Sequence, residues 1–353
     1  MTIPNKSGKY RALKDIVIQT ACAEESQTAA ADAGLQQPKP RQAAEFGNIP
    51  QSDPLLRRLL PEVDHRTVGE ILVHPDFARM RRCYVPDTIA NYESAVFPGG
   101  WQSAAYRTAA LGAIVCLWAN FDEANRATWP TLALFKRAVS TFGFSSPRQI
   151  DDFVRRLTET GHIVQERVVA DGRLRLLKPT EKLLAWDREV IAPYYEALQL
   201  LYPEPGYGLP IARDPEFHLA QRRCAVKIFP IIGIFLRKIV ELLPFYNMYQ
   251  GLNVLLVLAD RQATDPDKSM HERDLAEIQH RFRTSRSHIR NIITTAEASG
   301  LIIWTEGSRR RFAATPQALA ATDLFIAYTL ASHDLTYRMA MKEMGRDPGA
   351  LVY

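Results

Sequence analysis

Ser146-Pro147-Arg148-Gln149-Ile150-Asp151-Asp152-Phe153-Val154-Arg155-Arg156-Leu157 is the stretch on which the fold turns. Ser146 suits a helix N-cap, Pro147 its first position and Gln149 the reciprocal place in a capping box. Ile150, Phe153, Val154 and Leu157 recur at i, i+3, i+4 and i+7, which predicts one apolar stripe against a core. The opposite face then carries Arg148, Gln149, Asp152 and Arg155. Gly161 can take the left-handed conformation that ends a helix. Beyond it, Ile163 to Val169 and Arg173 to Leu177 flank Asp171-Gly172, a strong hairpin-turn pair.

The same grammar returns later in the chain. Ser285 precedes Ile289, Ile292, Ile293 and Ala296, Gly300 ends the helix, and Leu301 to Thr305 enters a turn at Glu306-Gly307. Thr180 stands nine residues after Asp171 and Thr315 nine after Glu306, so the wing length repeats as well. A capped helix leading into a short two-stranded wing is the pattern of a winged helix-turn-helix, and it occurs twice.

Working outward, the repeat reaches further upstream. Pro75-Asp76-Phe77 is followed by Arg81-Arg82-Cys83, and Pro215-Glu216-Phe217 by Arg222-Arg223-Cys224, with one extra residue in the second interval. The offset of roughly 140 residues matches that between Gly161 and Gly300, which implies duplication of a whole domain. Ala109 to Trp118 reads as a buried first helix of copy one and Thr131 to Phe142 as its second; Leu252 to Ala259, then Leu275, Ile278 and Phe282, match them in copy two. Helices opening at Thr180 and near Gln317 close the two copies, with Pro193 a kink point in the former. The expected fold is mainly α with small β wings: two tandem winged helix-turn-helix domains related by internal duplication, a pseudo-dimer in one chain. Its parts are a disordered tail at 1–53, a first domain at 54–201, a Pro/Gly-rich linker at 202–213, a second domain at 214–335 and a polar C-terminal tail at 336–353.

Composition is that of a globular chain. With 353 residues, 46% of them apolar, there is material for more than one core. A net charge of +5 and a pI near 9.0 permit a polyanionic partner. The four cysteines, Cys22, Cys83, Cys116 and Cys224, have neither metal-ligand spacing nor disulfide density, which fits a reducing cytoplasm. The longest apolar run, Ile228 to Leu236, stops at Arg237-Lys238, short of the roughly 20 residues of a membrane helix, so no membrane partner is expected. Lys6, Lys9, Arg11 and Lys14 in the tail read as solvated chain.

A helix in the major groove reads base edges through Arg, Asn, Gln, Ser or Thr. Copy two offers Ser285, Arg286, Ser287, His288, Arg290 and Asn291, with Arg283 just before them. Copy one offers Ser145, Ser146, Arg148, Gln149 and Arg155, beside Asp151 and Asp152, whose negative charge opposes phosphate. Arg173 and Arg175, or Arg309, Arg310 and Arg311, place guanidinium groups on the wings, where a narrow minor groove attracts them. These residues are the candidate DNA-binding set.

The run Asp171-Gly172-Arg173 through Leu177 to Thr180, after a helix ending at Gly161, resembles the wing signature of MarR-type regulators. The likeness covers roughly residues 100–200 and again 245–335. It implies a winged helix-turn-helix that binds operator DNA as a dimer and often releases it for a small ligand or oxidant. By matching position it makes Arg173 the minor-groove residue and puts Arg148 and Gln149 on the recognition helix. The chain departs from the pattern at Leu183 and Ala318, where the family usually has Gly, and at Ser308 in place of the wing Arg. Because family members generally carry one unit per chain, this one resembles a fused dimer. Two unlike recognition helices would then enter successive major grooves roughly 34–36 Å apart and read a non-palindromic operator.

No enzyme is indicated: His271-Glu272 lacks the second His of a zinc-protease helix, and no phosphate-cradling Gly-rich loop or set nucleophile occurs. Three functions remain open: a cytoplasmic, nucleoid-associated transcriptional regulator binding double-stranded DNA; a plasmid- or phage-type replication initiator; and a winged-helix scaffold that binds protein instead. A small-molecule effector is a further candidate partner, although the clusters Trp186, Tyr194, Tyr195 and Phe245, Tyr246, Tyr249 read first as packing. A second copy, pairing through Ile228 to Tyr246, is another. No cofactor or metal is called for.

Overall fold

The computed structural model describes residues 63–140, 146–168 and 171–351. The expected tail at 1–53, Ser145, and the end of the helix expected to reach Phe142 lie outside them. Among the described residues the chain is mainly helical, with two small antiparallel sheets.

Two helices lead, α1 (Val68–Val73) and α2 (Phe77–Glu93). They are followed by α3 (Ala105–Ala119), α4 (Leu132–Ser140), α5 (Pro147–Glu159), the hairpin β1 (Ile163–Val168) and β2 (Asp171–Pro179), and α6 (Glu181–Leu201). The order then recurs. α7 (Gly208–Ile211) and α8 (Pro215–Ala225) lead, with α9 (Phe229–Lys238) and the single turn α10 (Leu243–Tyr246) interposed before α11 (Gly251–Thr264). β3 (Met270–His271), α12 (Leu275–Arg281), α13 (Arg286–Ala298), β4 (Ile302–Trp304), β5 (Arg311–Ala314) and α14 (Pro316–Glu343) complete it.

Local chemistry repeats with the elements. Gly161 and Gly300 both sit at φ +71°, where a Cβ would be strained. Behind them the His162 amide donates to the Leu157 carbonyl at 2.9 Å and the Leu301 amide to Ala296 at 2.8 Å, closing the two helix ends alike. The Thr180 and Thr315 hydroxyls donate to the carbonyls of Gly161 and Gly300, each at 2.8 Å. These bonds pin each wing's exit to its entry and set the start of α6 and α14.

Both hairpins differ from expectation in where they turn. Asp171 already pairs with Val168, after a register shift at Arg167/Val168, so Asp171-Gly172 lies on the outgoing strand and Gly172 stays outside the left-handed region. In the second wing Arg309, at φ +53°, and not Gly307, takes the left-handed place, its amide donating to the Glu306 carbonyl at 3.0 Å. A third short strand, β3, joins β5 through Met270 and Phe312; its counterpart is the isolated bridge of Thr131 to Leu176.

The cores show how the halves meet. α2 packs on α6 of its own half and on α11 of the other; α8 packs on α14 of its own half and on α3 of the other. α1 lies against α14 and α7 against α6, while α6 and α14 touch each other. One continuous cluster therefore runs from Val68 and Met80 through Tyr195 and Phe217 to Leu330 and Ala340. A smaller one, around Phe135, Phe153, Leu157 and Leu177, lies in the first half and receives Ala225 and Phe229 from the second.

Two boundaries and one alignment move as a result. α14 continues to Glu343, with Thr336 to Met341 buried, so a polar tail does not begin at 336. The polar letters misled because Asp334 and Arg338 neutralise each other at 3.1 Å inside the core. The stretch 202–213 is not a loose linker either: it contains α7 and buries Tyr202 and Tyr207. The extra residue assumed between Phe217 and Cys224 also fails, because an insertion inside a helix rotates every later side chain by about 100°. Burial instead matches Met80 with Ala220, Arg81 with Gln221 and Tyr84 with Cys224, leaving Cys83 exposed and Cys224 buried. No described helix is long and apolar enough to cross a membrane.

Candidate nucleic-acid interface

In the first unit, α5 buries Ile150, Phe153, Val154 and Leu157 and exposes Arg148, Asp151, Asp152, Arg155 and Arg156. Its start is closed reciprocally: Ser146 Oγ accepts from the Gln149 amide at 3.3 Å, and Gln149 Oε1 accepts from the Ser146 amide at 2.8 Å. Ser146 and Gln149 thus form the cap, and both stay exposed at the start of the helix. Behind the helix, Trp101 stacks on Phe153 with centroids 5.4 Å apart, and Arg107 lies 4.6 Å over Trp101. The face itself is internally neutralised. Arg155 pairs with Asp152 at 2.6 Å and Lys136 of α4 with Asp151 at 2.6 Å, while Arg156 lies 5.4 Å from the Phe97 ring. Arg148 is exposed at the N-terminal end.

In the second unit, α13 buries Ile289, Ile292, Ile293 and Ala296. Ser285 caps it by accepting from the His288 amide at 3.1 Å, and its hydroxyl lies 3.0 Å from that of Ser287. Arg286, Ser287, Arg290, Asn291 and Thr294 are exposed together on the outer face. His288 is not with them: its Nε2 donates to the Tyr249 carbonyl at 2.7 Å, and the half-buried ring packs against Tyr249. Its place in the candidate set is corrected to a structural one. Arg283 is exposed at φ +49° in the turn between α12 and α13, a left-handed residue that glycine would occupy with less strain.

Between α12 and α13 runs a groove of about 310 Å³, floored by Leu275, Ala276 and Ile289 and rimmed by Glu272, Arg273, Gln279, Arg286 and Arg290. Arg290 reaches Glu272 at 2.9 Å, and this hydrogen bond holds the Glu272 carboxyl below the usual carboxylate range. The Glu272 amide donates to the Arg310 carbonyl at 2.8 Å, tying the groove to the wing.

The wings contribute unequally. Arg173 and Arg175 are exposed on β2. In the second wing, Arg309 pairs with Glu297 of α13 and lies 5.3 Å over the Trp304 ring. Arg311 turns back to Ser269, donating to its hydroxyl at 2.7 Å and its carbonyl at 2.8 Å, and so is a strand anchor and not a wing-tip contact. Arg310 is exposed. Lys136, Glu272 and Glu297 went unnoticed in the sequence because their partners lie 12 to 18 residues away, on other elements, where no helical spacing links them.

Among the described residues no three His, Cys, Asp or Glu side chains gather to hold a metal. Of the aromatic candidates, Tyr195, Phe245 and Tyr246 are buried, and Tyr195 meets Tyr207, Phe217, His333 and Tyr337 within about 6 Å in the core. Neither a protein-family model nor a curated protein sequence matches the chain.

Proposed function

We propose that the chain is a sequence-specific double-stranded DNA-binding regulator of transcription, built as two winged helix-turn-helix units fused into one pseudo-dimer and similar in plan to MarR-type regulators. The observation that carries this is the pair α5 and α13. Each is a helix of 13 residues, capped by serine, apolar only toward its own core, polar outward, and followed by a basic hairpin. An exposed polar helix face beside a cationic wing is the shape that lays side chains on base edges and phosphates at once. The crossing of α2 and α8 into opposite halves supports internal duplication, since two subunits exchanging their leading helices would produce the same contacts.

The units are unequal readers. α13 presents Arg286, Ser287, Arg290 and Asn291, the residue types that address guanine and adenine edges, whereas α5 offers Arg148 within a face balanced by Asp151 and Asp152. The second unit anchors, and the site it reads is asymmetric.

The test is affinity for random and enriched duplexes across salt, for wild type and Arg286→Ala/Arg290→Ala. The double variant should lose about 2–5 kcal/mol on the enriched duplex. Its log–log salt slope should flatten by up to about 2. Unchanged affinity and slope would remove α13 as reader.

A further inference from the structure

Four cations in or beside the candidate interface are paired with carboxylates. Lys136 is held by Asp151, Arg155 by Asp152, Arg290 by Glu272 and Arg309 by Glu297. The carboxylates come from α5, α13 and the segment after β3, so the arrangement recurs on both units although the residues do not align. All four are at least one-third exposed, which makes the pairs individually weak and open to exchange with another anion.

We propose that Asp151, Asp152, Glu272 and Glu297 are specificity-determining residues that act as built-in competitors of phosphate. This rests on the DNA-binding reading above. Any duplex must break these pairs and then sit beside the displaced carboxylates before it gains the four cations. Random sequence offers only the phosphate attraction in return and is disfavoured by the exchange. A cognate sequence adds base-edge contacts from Arg286 and Asn291 and overcomes it. Specificity therefore comes partly from weakening the wrong complex.

The pairing of Arg290 is the sharpest instance. Its guanidinium lies at the rim of the α12–α13 groove, bonded through one nitrogen to Glu272 at 2.9 Å, so a base or phosphate approaching it meets that carboxylate. Arg309 is restrained twice, by Glu297 and by the Trp304 ring.

The experiment uses the full chain as wild type, Glu272→Gln/Glu297→Gln, and a control, Glu189→Gln/Glu216→Gln, which removes the same charge from α6 and α8. Each is titrated across salt against a random-sequence duplex and against a duplex enriched from a random pool by wild type. The first variant should bind the random duplex about tenfold more tightly, with a log–log salt slope steeper by up to about 2. Its affinity for the enriched duplex should rise less, so that the specificity ratio falls severalfold, while the control keeps the wild-type ratio. An unchanged ratio, or an equal fall in the control, would overturn the proposal and leave the DNA-binding reading intact. Wild type binding neither duplex would overturn that reading itself.

Discussion

Single side chains divide cleanly into those that build the helix starts and those that face outward. Ser146→Ala should lower stability by about 1 kcal/mol, because the Gln149 amide loses its acceptor, and the cost should appear in a denaturant midpoint at unchanged slope. Two histidines give the molecule a pH dependence. Burial lowers the pKa of His162 to about 4 and that of His333 to about 4, against an ordinary value of 6.5. The folded state thus holds fewer protons than the unfolded chain between those values. The stabilisation is complete above pH 6.5 and is lost as pH falls toward 4, by up to about 3 kcal/mol for the His333 ring and by less for His162, which solvent screens in part. His333→Gln should remove more than half of that slope in urea melts recorded across the same range. At this scale the sequence was informative: Gly161, Gly300, Thr180 and Thr315 announce their roles through local spacing. It announced the capping role of Gln149 but not the partner of His288, since a polar letter on an exposed turn does not say whether it faces a base or a neighbouring carbonyl.

Elements carry the second level. The apolar stripes of α5 and α13 were legible because helical periodicity is a property of nearby residues, and both helices form where the pattern put them. The pairing of α2 with α11 and of α8 with α3 was not, because no local signal reports which distant helix fills a groove. One buried ionic knot marks such a seam. Arg222 of α8 donates to both Asp187 oxygens of α6 at 2.7 Å, and His218 lies 2.7 Å from the same carboxylate. Burial alone would push the Asp187 carboxyl up; the Arg222 charge overrides it and holds the pKa at about 2. Asp187→Ala leaves Arg222 enclosed without its counter-ion and should cost about 3–5 kcal/mol, read as a fall in melting temperature. At the opposite seam Arg81 of α2 bonds Asp323 of α14 at 2.9 Å and Asp260 of α11 at 3.4 Å. Each leading helix thus carries an arginine that reaches an acid in the other half.

For the whole molecule, this interlocking means that the halves are not separable modules. Fragments 63–207 and 208–351, expressed apart, should each lack fixed tertiary structure by near-ultraviolet dichroism, since each leaves exposed the surface its partner's leading helix covers. Mixed or coexpressed, they should assemble one-to-one and recover the signal. Independent folding of either fragment would contradict the seam. The two outward helix faces differ: α13 presents Arg286, Ser287 and Asn291 beside the paired Arg290, whereas on α5 Asp151 and Asp152 pair with Lys136 and Arg155, a difference that a dimer of identical chains cannot hold.

The indole of Trp101, stacked behind α5, and that of Trp304, beneath Arg309 on the second wing, give each head its own intrinsic optical probe. On the DNA-binding proposal, emission from variants retaining Trp101 or Trp304 alone, with the other four tryptophans replaced by Phe, would time the arrival of each head separately. Stopped-flow traces could then establish whether one head lands first and the other later.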